Sequence, residues 1–101
     1  MVKHIVFWKL REDLQGAARD ERLRQIKDGF DQLQGVIPGL LHIEIGFDFL
    51  KSADSVDLIL YSEFESRAAL DGYQNHPGHL AMIPLVRDVR VERRAGDYEV
   101  N

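Results

Sequence analysis

Two histidines and a tyrosine lie close together in the segment Tyr73–His79, the part of the chain best suited to acid–base chemistry. Tyr73 and His76 are three residues apart, so they can share one face of a helix. His79 falls in the first turn of the helix that Pro77 is expected to begin, where the positive end of the helix dipole disfavours an imidazolium ion. A neutral imidazole there can accept a proton, and a neighbouring phenol can donate a hydrogen bond to a developing oxyanion.

A purely structural interpretation of the same residues is also open, and the residue pattern alone favours it. A histidine beside a proline can cap a helix, and Tyr73 can fill the core with its hydroxyl bonded to a backbone carbonyl. Trp8 is large enough to form a pocket wall, although core packing is its simpler explanation. His76 and His79 flank a helix break with no third ligand near them in sequence, so no metal site is predicted.

The elements that must position these residues follow from hydrophobic periodicity. Alternating apolar residues predict strands, and apolar residues three and four apart predict helices. The resulting order is β-α-β-β-α-β, with strands at Val2–Leu10, Leu41–Phe49, Asp57–Phe64 and Arg93–Val100, and helices at Ala17–Gly35 and Arg67–Asn75. This order is typical of one α+β, ferredoxin-like domain over residues 1–101, a four-stranded antiparallel sheet with helices on one face. His4 lies on the first strand and can face the same space beneath the helices as Tyr73 and His79.

The second face of this sheet is also expected to be apolar, because the first three strands each offer hydrophobic residues to it. An exposed apolar face either binds a partner or promotes aggregation. We therefore predict a homodimer in which two chains pack sheet on sheet. Inside the first helix Gly29 is expected to allow close approach to the sheet, and Pro84 is expected to kink or divide the helical region after Pro77.

Composition excludes several functions. The chain has 101 residues, no cysteine and a formal net charge of -4. It therefore has no disulfide or thiol chemistry, and its mild acidity argues against nucleic-acid binding. No apolar stretch approaches the roughly 20 residues of a membrane span, so we expect a soluble, cytoplasmic protein with no membrane partner. Basic residues near the end alternate with acidic ones and are expected to be solvated or ion-paired: Arg87, Arg90, Arg93 and Arg94.

Taken together, these motifs resemble the stress-responsive dimeric α/β-barrel (Dabb) domain family over nearly the whole chain. The resemblance is carried by the first strand, by Pro38-Gly39-Leu40 before the second strand, by the segment 57–66 entering the second helix, by Tyr73–His79 and by Asp97-Tyr98-Glu99. It implies a ferredoxin-like protomer and a homodimer whose two sheets form a barrel with the helices outside.

The resemblance also implies a function. The chain is distantly similar to plant olivetolic acid cyclase, an enzyme of this family that performs an intramolecular aldol condensation. By that resemblance His79 is the base, Tyr73 orients or stabilises the enolate oxygen and His4 supports the site, with no cofactor. Trp8 and His76 are then expected to contact a small apolar ligand. Two alternatives stay open: a non-catalytic dimeric stress-response or assembly protein, and a monooxygenase-like enzyme of the same architecture.

Overall fold

A computed structural model describes residues 1–101 as a four-stranded antiparallel sheet in the order β2-β3-β1-β4, which is the ferredoxin-like arrangement expected from the sequence. The strands are β1 (Val2–Leu10), β2 (Leu40–Phe47), β3 (Leu58–Phe64) and β4 (Arg90–Glu99). The helices are α1 (Gly16–Asp31), α2 (Arg67–Asn75), α3 (Pro77–Leu80) and α4 (Ile83–Arg87). Helices α1, α2 and α4 pack on one face of the sheet and α3 packs on α2, so every strand has a helix side and an open side.

Strand β1 is central, because it pairs with β3 on one side and with β4 on the other. Its even-numbered residues point to the helix side and are buried, whereas Phe7 on the open side is 39% exposed. Residues paired across strands share a face, so the register puts Ser62 of β3 and Asp97 of β4 on either side of His4. The Ser62 hydroxyl donates a hydrogen bond to the His4 carbonyl at 2.8 Å, which fixes this part of the strand.

Helix α1 buries Ile26 and Phe30 against the sheet, as its apolar spacing predicts. Its Gly29 has a different role from the one expected. An added Cβ would lie 2.4 Å from Sδ of Met82, so the glycine makes room for the segment between α3 and α4 and not for the sheet. The helix also ends at Asp31, and turns carry the chain on to Gly35, which has a φ of +81°.

A bulge changes the face of one residue in β2. Strict alternation along the strand would put Leu41 on the same face as Ile43, but the bulge between Leu40 and His42 turns Leu41 outward, and it is 45% exposed. The helical region after Pro77 is divided as expected, with the break between Leu80 and Ile83. Pro84 occupies the first turn of α4, where its missing N–H leaves no bond unmade, and its ring disfavours a continuous helix through Leu80, four residues earlier.

The open side of the sheet has an apolar centre and a charged margin. Ile5 and Phe7 of β1 lie beside Ile59 and Tyr61 of β3, and we call these four residues the open-face stripe. Polar residues of the two edge strands flank it: His42, Glu44, Glu92, Arg94 and Tyr98. The face is therefore less uniformly apolar than the sequence pattern predicts, since β2 contributes mainly polar side chains. None of the helices is long and apolar enough to span a membrane.

Candidate functional site

A cavity of about 310 Å³ lies between the helix side of the sheet and the helices. Its volume is at the lower end of the range for small-molecule sites. Eight of its 13 lining residues are hydrophobic, and none is Asp or Glu. The lining residues are His4, Val6, Trp8, Phe30, Leu60, Tyr73, His79, Met82, Ile83, Val86, Arg87, Arg90 and Arg93.

Four of the five candidate site residues from the sequence line this cavity: His4, Trp8, Tyr73 and His79. Trp8 forms part of the wall and also packs on Phe30, with their ring centroids 6.0 Å apart. The structure therefore brings together residues of β1, α2 and α3 that are up to 75 positions apart in the sequence, from His4 to His79.

Tyr73 is held at the cavity by helix α2. The helix begins at the Ser66 cap, whose side chain accepts a hydrogen bond from the Ala69 N–H at 3.1 Å. The Tyr73 ring packs on Phe64 at a centroid distance of 5.0 Å and is only 1% exposed. Its hydroxyl makes no hydrogen bond to another protein group and borders the cavity. Burial raises the pKa of the phenol well above its ordinary value, so the group is a neutral hydrogen-bond donor at physiological pH.

His79 lies against Tyr73, with the two ring centroids 4.4 Å apart. Its Nδ1 is 3.2 Å from the carbonyl of Gln74, and since a carbonyl only accepts, Nδ1 carries the proton. Nε2 is then left with a lone pair. Burial lowers the pKa of His79, with smaller contributions in the same direction from His4 and Arg93, while the bond to Gln74 opposes them.

The cause of this lowered pKa differs from the one inferred from sequence. The helix dipole was expected to keep His79 neutral, but α3 has only four residues. So short a helix places His79 in its last turn as well as its first, so the dipole gives no clear preference for either protonation state. Desolvation inside the fold replaces the dipole as the main reason.

His4 is oriented by a partner that sequence reasoning missed. The Asp97 carboxylate accepts a hydrogen bond from His4 Nδ1, which leaves Nε2 as the free ring nitrogen. His4 is 4% exposed and lies edge-on to Tyr73 at a centroid distance of 6.2 Å. The signal for Asp97 was present in the predicted topology, because β1 and β4 are neighbours in a ferredoxin-like sheet and their register pairs these two residues.

His76 lies elsewhere. Its Nδ1 accepts a hydrogen bond from the Gly78 N–H at 2.9 Å, which caps the first turn of α3. It is not among the residues that line the cavity. His76 thus directs the chain from α2 into α3 and thereby positions His79.

Arginines supply the positive charge of the site, and sequence reasoning did not assign them to it. Arg87 at the end of α4 and Arg90 and Arg93 on β4 all line the cavity. The sequence predicted these residues to be solvated or ion-paired, and Arg87, Arg93 and Arg94 are exposed. Strand geometry then separates neighbours onto opposite faces. Arg93 faces the helix side, whereas Arg94 faces the open side and pairs with Glu92.

The site holds two groups suited to opposite halves of a proton transfer. A neutral imidazole nitrogen can take a proton, and a neutral phenol can donate a hydrogen bond to an oxygen that gains charge. No group of three or more His, Asp or Glu side chains is arranged to hold a metal ion. The arrangement of His79 and Tyr73 can perform acid–base chemistry in a cavity that has hydrophobic walls and three arginines in its lining.

Comparison with known proteins identifies the sequence family. The family model described as the Stress responsive A/B Barrel Domain, Dabb, matches residues 2–100. An uncharacterized protein of Streptomyces coelicolor is 30% identical over 89 residues, which cover 87% of this chain and 89% of that protein.

Solved structures share the fold over nearly the full length. A dimeric protein of unknown function with a ferredoxin-like fold from Bacteroides fragilis is 29% identical, with a TM-score of 0.88 over 98% of this chain and 95% of that one. The hydroxynitrile lyase of Passiflora edulis is 22% identical, with a TM-score of 0.81 over 99% of this chain and 93% of that one. The likeness to the lyase is one of fold.

Proposed function

This chain belongs to the stress-responsive A/B barrel (Dabb) family, and from that membership and its cavity we propose that it is a cofactor-independent enzyme of the lyase or cyclase type. One observation carries the proposal. The Tyr73 hydroxyl has no protein partner, His79 keeps a free Nε2, and both residues line the same apolar cavity with their rings 4.4 Å apart.

In the proposed reaction His79 is the base. Its Nε2 takes a proton from a carbon next to a carbonyl group. The electron pair of the broken C–H bond forms a C=C bond to the carbonyl carbon, and the π pair of the C=O bond moves onto the oxygen. The Tyr73 hydroxyl donates a hydrogen bond to that enolate oxygen. The enolate carbon then forms a C–C bond to a second carbonyl carbon of the same molecule, and the resulting alkoxide takes the proton back from His79.

His4 and Asp97 have a positioning role in the proposed site. The Asp97 carboxylate holds the His4 ring at the Tyr73 edge, and this keeps Nε2 of His4 toward the same cavity. The eight hydrophobic lining residues support the chemistry, because a hydrogen bond to a developing charge stabilises it more strongly where the surroundings are less polar than water. The Passiflora edulis enzyme, a lyase of the same fold, is consistent with this class of reaction.

A test needs no knowledge of the natural substrate, because proton abstraction can be followed on a simple ketone. We expect the wild-type protein to accelerate deuterium incorporation from D₂O next to the carbonyl of 4-phenylbutan-2-one, measured by proton NMR. His79→Gln is expected to slow this exchange by about 100-fold or more, because it removes the base. His42→Gln is the matched control, since His42 lies on the open side of the sheet and is paired with Glu44.

Two outcomes would contradict the proposal: exchange no faster than in buffer, or equal rates for wild type and His79→Gln. If the ketone binds but its deuterium exchange is not accelerated, the protein binds small molecules in this cavity and is not an enzyme.

The assembly that we propose is a homodimer formed through the open-face stripe. An apolar centre with a charged margin is the usual anatomy of an interface between proteins. Phe7, within the stripe, is 39% exposed in the single chain, and the similar Bacteroides fragilis protein is dimeric. Packing two such faces together would bury the stripe and add stability that a chain of this length gains only modestly from its own core.

Phe7→Asp tests this interface. We expect it to sediment as a monomer at concentrations where the wild type is dimeric, because a carboxylate would be buried in the apolar centre. Val36→Asp is the control, since Val36 is 60% exposed and lies in the loop after α1, outside the sheet. A dimeric Phe7→Asp protein, or a monomeric Val36→Asp protein, would argue against an interface at the stripe.

A further inference from the structure

The arginines of this chain fall into two groups. Of the nine arginines in the sequence, six have a carboxylate within salt-bridge distance: Arg11, Arg19, Arg22, Arg24, Arg67 and Arg94. The three without such a partner are Arg87, Arg90 and Arg93, and these are the three that line the cavity. In a chain with a net charge of -4, carboxylates are plentiful, so the unpaired arginines mark one region of the molecule.

Their placement follows from two neighbouring elements. Arg87 ends α4 and Arg90 begins β4, so the short connection between them brings both to one edge of the cavity. Arg93 follows on the strand with its side chain on the helix side, opposite Trp8 of β1. Since no Asp or Glu lines the cavity, its charged side chains are all positive apart from the titratable histidines.

The positive field reaches the proposed catalytic pair. Arg93 lowers the pKa of Tyr73 against the larger effect of burial, and it also lowers the pKa of His79. Both effects are those of a cation close enough to act on the interior of the cavity. An anion bound beside Arg93 would therefore also change the pKa values of Tyr73 and His79.

We propose that the ligand of this cavity is an apolar molecule bearing one carboxylate or phosphate group, and that Arg87, Arg90 and Arg93 bind the charged end. The planar guanidinium presents parallel N–H donors that match both of these oxyanions. The apolar body then lies along Trp8 and Phe30 toward His79 and Tyr73. The inference rests on the proposed function for the orientation of the reacting carbon, and it narrows the substrate class to apolar ketones that carry an acidic group.

Trp8 provides a direct measurement of binding. It is the only tryptophan of the chain and lines the cavity, so its fluorescence reports an occupant. The probes are 4-phenylbutyrate, its uncharged amide 4-phenylbutanamide, and 2-phenylethyl phosphate. We expect the acid to bind at least about tenfold more tightly than the amide, because only the acid makes charge-assisted hydrogen bonds to the arginines.

The variant Arg90→Gln/Arg93→Gln is expected to remove this preference while leaving the amide affinity unchanged. Arg24→Gln is the control for loss of positive charge, since Arg24 pairs with Glu21 and Asp28 on the exposed surface of α1. It should keep the preference for the acid. Added salt should weaken binding of the acid and not of the amide.

The outcomes separate the two proposals. Equal affinity for acid and amide, or a preference that survives the double substitution, overturns the anion site and leaves the proposed proton transfer standing. A preference that depends on the arginines, together with ketone exchange that does not depend on His79, supports the anion site and overturns the enzyme. Whichever of 4-phenylbutyrate and 2-phenylethyl phosphate binds more tightly identifies the charged group.

Discussion

Removing only the hydroxyl of Tyr73 separates its contribution to the fold from its contribution to the site. The ring is 1% exposed and packs on Phe64, whereas the hydroxyl has no protein partner. A buried hydrogen bond contributes about 1 kcal/mol to stability, and no such bond is lost in Tyr73→Phe. We therefore expect the free energy of unfolding of this variant to lie within about 0.5 kcal/mol of the wild type.

Removing the ring gives the comparison. Tyr73→Ala empties a core position, and truncation of a large aromatic residue costs about 3–5 kcal/mol. Both variants are measured by urea denaturation at one fixed protein concentration, because dimerisation makes apparent stability depend on concentration. Tyr98→Phe is the matched control, since Tyr98 lies on the open side of the sheet and is 49% exposed.

The functional half of the prediction uses the same protein samples. Tyr73→Phe should slow deuterium exchange of the ketone by about 10-fold or more, because the enolate oxygen loses its hydrogen-bond donor. The reasoning fails if Tyr73→Phe lowers stability by 1.5 kcal/mol or more, as expected only for a hydroxyl bonded within the core. It also fails if exchange is unchanged.

Three further results are expected. The free energy of unfolding should fall as the pH drops below about 6.5. The reason is that the pKa of His79 is lowered in the folded protein, so His79 takes up a proton in the unfolded chain at pH values where the folded protein does not. Urea denaturation across pH measures this, and the fall should be smaller in His79→Gln. Gly29→Ala should improve helix propensity by about 1 kcal/mol but displace the flexible end of Met82, so the free energy of unfolding should change little. Because Met82 lines the cavity, affinity for 4-phenylbutyrate should fall. Unchanged affinity would show that Met82 moves away from the cavity. Ser66→Ala should cost about 1 kcal/mol in thermal or urea unfolding through loss of the cap on Ala69, and Ser66→Asp should keep most of it; equal losses in both would exclude capping as the cause.

The sequence was informative wherever one local pattern decided the outcome. Alternation along Val2–Leu10 gave the correct side for His4, and Pro77 marked where α3 begins. These features depend on near neighbours in the chain, whose geometry is nearly the same in every protein.

Errors arose where a distant contact changed the local outcome. The bulge that turns Leu41 outward depends on pairing with β3, and the role of Gly29 depends on Met82 arriving from another segment. The place of the arginines depends on the sheet for the same reason: Arg93 and Arg94 are adjacent in sequence, yet only the sheet assigns them to opposite faces, with Arg94 paired and Arg93 at the cavity.

The order of the elements and the family could be read from the sequence alone, because periodicity and motif spacing are properties of the linear chain. The sequence also named His4, Tyr73 and His79 as candidates for acid–base chemistry. The tertiary structure decided what surrounds those residues. It placed Asp97 on His4, directed His76 to a helix cap, left the Tyr73 hydroxyl without a partner and gathered three arginines at one cavity. The physical reason is that burial and electrostatic fields are sums over atoms from several elements, and these sums exist only once the sheet and helices have packed.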